Sequence, residues 1–304
     1  MPSSSPNWIA DALDRLAKLP CGYHVGDPSA AEPIALAALA LLGADRPDDA
    51  RNHLHWLATS GQKSDGSVAP YESLQWPGWS TPLAIIVAVF ASHSDAAKTL
   101  PTIDLAHAKS WLVAAEGKTL GKTPEFGHDG MLVGWPWVLG THSWQEPTAW
   151  SVLALRSLGL SDHPRTREGV RLLIDRLLPE GGCNYGNTYV LGQKLRAQVE
   201  PTGLAMLALA GEPSDDLRIA YSLQFLTANL LSFTTPISLA YGLLGLCAHQ
   251  KIPSDSAAWL ESAYRQTLQR EPAPLPIALL TLAAQGNDCL LLKIGNMHPR
   301  ETPT

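Results

Sequence analysis

Two kinds of apolar pattern alternate along the chain. In one kind, charged and apolar residues recur at three- and four-residue spacing, over 8–19, 50–60, 105–115, 164–178, 214–230 and 254–268. That spacing predicts helices with one buried and one wetted face. The other kind is nearly free of charge, as in 35–42, 82–90, 203–210 and 236–248. A helix that is apolar on all sides has to be enclosed. Each uncharged run opens on a recurring proline phrase: Glu32-Pro33-Ile34-Ala35, Thr81-Pro82-Leu83-Ala84, Glu146-Pro147-Thr148-Ala149, Glu200-Pro201-Thr202-Gly203, Thr235-Pro236-Ile237-Ser238 and Leu275-Pro276-Ile277-Ala278. Proline suits the first helical position, because its missing N–H has no partner to lose there. Six enclosed helices are therefore expected to start the same way.

A repeat of roughly 35 to 65 residues signals an array of helical hairpins. Pairing the amphipathic helices with the enclosed ones predicts two concentric rings with the apolar set inside. The expected fold is all-α, an α/α toroid of about six helical hairpins. An open solenoid would need polar repeats at its ends, yet the last run, 276–284, is as apolar as the middle ones. Closure is favoured. No proline- or serine-rich linker divides the chain, so 1–304 is expected to form a single toroid domain.

Composition narrows the function. The chain has 304 residues, 45% hydrophobic and 16% charged, with net charge −6. This leaves no basic footprint for nucleic acid. The opening Met1-Pro2-Ser3-Ser4-Ser5-Pro6 has neither the charged nor the apolar region of a signal peptide. The longest apolar stretch, 34–43, is too short to span a bilayer. Peripheral membrane contact stays open. Cys21, Cys183, Cys247 and Cys289 lie far apart, which argues against a zinc or disulfide framework. A cytoplasmic protein with reduced thiols is expected.

Candidate chemistry gathers at the proline phrases and in two long loops, about 61–81 and 116–145. Long loops in a compact fold are usually functional, and these carry Trp76, Trp79, Trp135, Trp137 and Trp144, with Trp150 just inside the following helix. Aromatic faces there either steady a cation, at about 1–2 kcal/mol per desolvated ring, or pin the loops by burying apolar area. Glu32, Glu146 and Glu200 each precede a proline. In one reading they are helix-start residues facing unpaired N–H groups and the positive end of the helix dipole. In the other they border a central opening, where desolvation raises a carboxyl's proton affinity as a general acid requires. Parallel inner helices would bring all their amino ends to one rim.

The loops Gln62-Lys63-Ser64-Asp65-Gly66-Ser67 and Glu180-Gly181-Gly182-Cys183-Asn184-Tyr185-Gly186 resemble the Gln–Trp repeats of the squalene cyclase and prenyltransferase superfamily. The resemblance implies an α/α toroid enclosing an isoprenoid. Class II cyclases of that superfamily protonate substrate from an Asp-x-Asp-Asp-Thr-Ala segment. The similar segment here is Trp144-Gln145-Glu146-Pro147-Thr148-Ala149, with Glu146 at the place of the proton donor. Trp144 and Pro147 replace the flanking aspartates, and His142 is the nearest substitute partner. The zinc ligands of the protein prenyltransferases have no match: Cys247 and His249 end an apolar helix, and Asp288-Cys289 with His298 is a poor set. No metal and no cofactor are expected.

Three functional expectations follow. The first is a terpenoid cyclase-like or isoprenoid-binding protein, with Glu146 as acid, His142 orienting it, and Trp76, Trp79, Trp135, Trp137, Trp144, Tyr185 and Glu32 lining the ligand. The second is a non-catalytic toroid that binds a partner protein or a lipid. The third is a carbohydrate-active toroid in which Glu146 and Glu200 form the carboxyl pair of a hydrolase. Asn184 and Tyr185 fit either a lyase-like site or a plain turn.

Overall fold

The computed structural model describes residues 8–18, 20–94, 99–121, 127–190, 192–231 and 234–294. The uncharged runs form α2 (Ala31–Gly43), α4 (Thr81–His93), α6 (Gln145–Ser157), α8 (Val199–Ala208), α10 (Pro236–Ala248) and α12 (Pro274–Ala284). The amphipathic runs form α1 (Trp8–Leu16), α3 (Pro47–Trp56), α5 (Leu105–Ala114), α7 (Pro164–Asp175), α9 (Leu217–Asn229) and α11 (Ser256–Arg270), with a short α13 (Leu290–Lys293) after the last hairpin. A π-helical turn, Leu57–Gly61, carries α3 onward to the loop.

Each even-numbered helix packs on the next, α2 on α4, α4 on α6, and so on to α12, which packs back on α2. The ring is closed. Odd-numbered helices lie outside it: α3 against α2, α5 against α4, α7 against α6, α9 against α8, and α11 against α12. The first helix, α1, seats beside α12 and α2. Polar contacts fasten this seam. The Tyr264 hydroxyl donates to Asp11 at 2.6 Å, and the Gln285 amide donates to the Ala40 carbonyl at 2.8 Å. A single apolar cluster runs through all six inner helices.

The expectation that proline opens every inner helix needs correction. In α2, α6 and α8 the helix begins two residues earlier, so Glu32, Glu146 and Glu200 lie inside the first turn and the proline stands third. Their N-cap residues, Ala30, Trp144 and Gln198, make no side-chain cap bond. Loop carbonyls take part of that work: Ala31 N–H donates to Pro70 O at 2.8 Å and Gln145 N–H to Tyr185 O at 2.9 Å. Side-chain capping appears instead where Thr235 accepts from Ser238 N–H in α10, and where Asp104 and Asp216 start α5 and α9.

The repeated glutamine- and glycine-containing loops are joints between outer helices. The Gln62 side chain accepts from Asp104 N–H at 2.7 Å and donates to Asp104 O at 3.0 Å, tying the end of one hairpin to the start of α5. In the later loop, Gly182 N–H donates to Ser222 Oγ at 2.8 Å on α9. Gly181 has φ +91°, and a Cβ there would lie 2.3 Å from the Tyr221 carbonyl carbon.

Small residues on the inner helices serve close contact. A Cβ on Gly203 would stand 2.3 Å from the Tyr241 carbonyl oxygen, and one on Gly245 2.5 Å from the Gly203 carbonyl oxygen. Backbone therefore meets backbone between α8 and α10. Gly203→Ala is expected to lower unfolding free energy by about 1–3 kcal/mol through overpacking. Urea denaturation checks this; an unchanged midpoint would show that the two helices separate freely.

Candidate active site at the inner-helix rim

Each outer helix returns the chain, so successive inner helices run in the same direction and their amino ends share one rim. Glu32 on α2, Glu146 on α6 and Glu200 on α8 all lie there. Since α2 and α8 stand opposite each other in a six-membered ring, side chains from both that influence one another do so across the opening.

Glu32 is buried and accepts a hydrogen bond from the Tyr23 hydroxyl at 2.8 Å. Burial raises its pKa to about 7; the Tyr23 bond opposes the rise and the charge of Glu200 adds to it. Glu146 is held well above the usual carboxylate range, first by burial and then by the charges of Glu32 and Glu200. It accepts no hydrogen bond from any described residue. Burial also raises Glu200, with the Ser238 hydroxyl opposing. Glu146 and Glu200 keep partial exposure, while Glu32 is nearly enclosed. Glu146 and Glu200 thus keep some reach to solvent at the inner-helix rim, while all three carboxyls are too surrounded to ionise together.

Tyrosines complete the rim. Tyr23 packs edge-on to Tyr71 with ring centroids 6.3 Å apart. The Tyr185 hydroxyl is raised by burial and by the charges of Glu200 and Glu146. The Tyr241 hydroxyl is raised well above its ordinary value by burial and by Glu32, Glu146 and Glu200. One turn below Glu146 on the same face of α6 lies Trp150. Its ring meets that of Tyr241 on α10 edge-on at 6.2 Å. α8 stands between α6 and α10, so these rings meet only inside the ring of helices. Both are almost fully buried and form a floor beneath the carboxyls.

The other residues singled out in the sequence are placed elsewhere. Trp135 is enclosed, donates through Nε1 to Leu112 O at 2.8 Å, and lies under the Arg165 guanidinium at 4.2 Å. It pins its loop between outer helices, which corrects its assignment as a ligand contact. His142 stacks on Trp144 at 4.5 Å and makes no hydrogen bond to Glu146, so it does not orient the acid. Trp144 is the N-cap residue of α6. Trp79 and Trp137 meet edge-on at 4.8 Å, and Trp76 is 70% exposed. No hydrogen bond or ring contact joins Trp76, Trp79 or Trp137 to the three carboxyls among the described residues. Asn184 accepts from Gly186 N–H at 3.2 Å within its own turn. Among the described residues no group of three His, Cys, Asp or Glu side chains is placed to hold a metal ion. Cys289 is buried, with its thiol pushed up to about 12, and His298 lies outside the described residues. Among the described residues, no helix is long and apolar enough to cross a membrane.

Sequence reasoning missed Tyr23, Tyr71 and Tyr241. A signal existed for the first two: with Tyr185, they lie in the loops leading into α2, α4 and α8.

No protein-family model matches the chain, and neither does any curated protein. Solved structures do. An alpha-amylase from Clostridium perfringens aligns with TM-score 0.64 at 11% identity, covering 94% of this chain and 99% of that one. A variant of Rex8A from Paenibacillus barcinonensis, complexed with 3(3)-alpha-L-arabinofuranosyl-xylotetraose, aligns at 0.58 and 12% identity, covering 93% and 92%. The endo-beta-1,4-glucanase CMCax from Acetobacter xylinum aligns at 0.55 and 14% identity, covering 96% and 98%. The chain is an α/α toroid. At these identities the likeness is one of fold, and the narrower resemblance to squalene cyclases gains nothing from it.

The raised carboxyls tie stability to pH. A glutamate whose pKa is higher folded than unfolded binds more protons in the folded state between the two values, so stability falls as pH rises through that window. For Glu32 the window runs from 4.5 to about 7. Urea unfolding is expected to give greater stability at pH 5 than at pH 7, with the difference reduced in Glu32→Gln. Equal slopes in the two proteins would place that titration elsewhere.

Proposed function

We propose that the chain is a carbohydrate-active toroid of the glycoside hydrolase type, which cleaves a glycosidic bond between Glu146 and Glu200. The observation that carries this reading is the placement of Glu146: it stands at the common rim of the inner helices with Glu32 and Glu200 close enough for their charges to act on it, no described side chain donates to it, and these surroundings hold it well above the usual carboxylate range. That is what a general acid needs. Protonation of the glycosidic oxygen by Glu146 lets the bond to the anomeric carbon break. Glu200, which is more accessible and steadied by Ser238, meets the developing positive charge. It acts as nucleophile or through a water that it deprotonates, and the anomeric configuration of the first product decides which.

Two further observations support a sugar. The rim carries the hydroxyls of Tyr23 and Tyr185, groups that hydrogen-bond a polyhydroxy ligand. The structurally similar proteins include an amylase, a glucanase and an oligosaccharide complex. The isoprenoid reading rests on the loop resemblance and on the position of Glu146. The loops have a structural role as joints, and the Trp150–Tyr241 contact closes the interior where a long apolar chain would have to enter.

The test is incubation of the purified protein with maltotetraose, xylotetraose and cellotetraose, with products resolved by chromatography. Hydrolysis of at least one is expected. Glu146→Gln should reduce it by about 10²-fold or more while leaving the thermal midpoint no lower, since a buried acid is removed. Failure with all three, together with turnover of squalene or geranylgeraniol, would replace this reading with the isoprenoid one.

A further inference from the structure

Between the amino ends of α10 and α12 lies a cavity of about 490 Å³, bounded by Tyr23 on one side and by the end of α11 on another. Small-molecule sites are commonly of this size, roughly 300–1,000 Å³. Hydrogen bonds join its wall to two of the rim glutamates. Tyr23 donates its hydroxyl to Glu32 at 2.8 Å. Thr235 donates to Ser238 Oγ at 3.1 Å, and Ser238 is the hydroxyl that steadies Glu200. The cavity therefore adjoins the rim on the arc away from Glu146, because α12 faces α6 in a ring of six. Its lining is of two kinds. Pro236, Ile237 and Leu275 present apolar surface, while Gln266, Arg270 and Glu271 present donors and acceptors. Gln266 and Arg270 stand one turn apart on the same face of α11. The Arg270 guanidinium has no hydrogen-bond or ion-pair partner among the described residues, and Gln266 reaches only Ser262, at 3.4 Å. Glu271 is fixed in place: it accepts from Val25 N–H at 3.1 Å and meets His24 Nδ1 at 3.1 Å, which ties the segment leading into α2 to the end of α11.

We propose that this cavity is a sugar-binding site at the far side of the rim, holding the distal units of an oligosaccharide whose scissile bond lies at Glu146 and Glu200. This deepens the hydrolase reading and rests on it for the identity of the ligand and the place of cleavage. A pyranose ring has apolar C–H faces and a hydroxyl edge, and the cavity offers a surface for each. Its faces lie on Pro236, Ile237 and Leu275; its hydroxyls meet Gln266, Arg270 and Glu271. An isoprenoid chain would strip water from Arg270 and Glu271 and return no hydrogen bond. A phosphate would gain Arg270 but face the Glu271 carboxylate. The substrate class narrows accordingly: a disaccharide occupies one end of the rim or the other, whereas a longer chain holds both.

The experiment uses the full-length protein carrying Glu146→Gln, so that the sugar stays intact, with ¹³C in the isoleucine δ1 methyls. The Ile237 methyl resonance is assigned by its loss in Ile237→Val. It is followed while maltotetraose, xylotetraose, cellotetraose, inorganic phosphate and geranylgeraniol are added separately. A saturating shift is expected with at least one tetrasaccharide, and none with phosphate or geranylgeraniol. Gln266→Ala and Arg270→Ala are each expected to raise the half-saturating concentration about three- to ten-fold, the loss of one hydrogen bond. Both side chains are exposed on an outer helix, so the thermal midpoint should stay where it is. An Ile237 methyl that moves with no sugar, or with phosphate or geranylgeraniol instead, overturns the proposal, as do variants that bind like the parent. Hydrolysis by the unmodified protein with a motionless methyl removes the cavity alone. A saturating shift in the absence of hydrolysis upholds the cavity as a sugar site and removes the cleavage reading alone.

Discussion

Six helices with almost no charge can hide their surfaces only against one another, and a closed ring is the arrangement in which none is left at an edge. The contact of α12 with α2 is the constraint from which the remainder follows. Closure puts every inner helix in the same environment, which is why the uncharged pattern persists from the first repeat to the last. It also forces the amino ends into a common circle. Glu32 is thereby brought near Glu146 and Glu200, each more than a hundred residues further along the chain. The tight approach of α8 to α10 at Gly203 and Gly245 draws the ring in on that side.

At the rim two electrostatic effects compete. A helix amino end favours a negative charge by roughly 0.3–1 kcal/mol, and each glutamate lies in a first turn where that effect is greatest. Burial and mutual repulsion act in the opposite sense. At Glu146 they win, because no hydroxyl or N–H side-chain donor offsets them. At Glu32 the Tyr23 hydroxyl recovers part of the loss, and at Glu200 Ser238 and partial solvation do the same. Three carboxyls in equivalent helical positions are thus made chemically unequal by their neighbours alone. Carboxyls of unequal proton affinity that interact this closely titrate in separate steps that belong to the group rather than to any one member.

The amino-acid pattern carried the architecture further than it carried the site. Helix number, order and pairing could be read from charge periodicity, since each outer helix is wet on one face and each inner helix on none. Helix starts were read two residues late in α2, α6 and α8, because proline is tolerated throughout a first turn and the caps are backbone contacts from other loops. Glu32, Glu146 and Glu200 could be found from their shared place in the proline phrase. Trp135 and His142 misled because an aromatic in a long loop looks the same in sequence whether it faces a ligand or, as Trp135 does, anchors the loop on Leu112. Tyr241 was hidden for the opposite reason: within an apolar helix it reads as core, and only the geometry of a neighbour two helices away sets it beneath the carboxyls.

The seam where α1 rests on α12 has a bearing on how the chain comes to be assembled. Asp11 takes its hydrogen bond from Tyr264, and Trp8 packs on the same tyrosine with ring centroids 5.1 Å apart. Helix α1 leaves the ribosome before the other described helices and must therefore wait, unseated, until α11 has been synthesised. Hairpins can form locally in the meantime, but ring closure is a contact of high sequence separation, and such contacts slow folding. Until that moment an incomplete ring presents two apolar flanks to the surrounding water, and its protection from premature association falls to the speed of elongation and to chaperones.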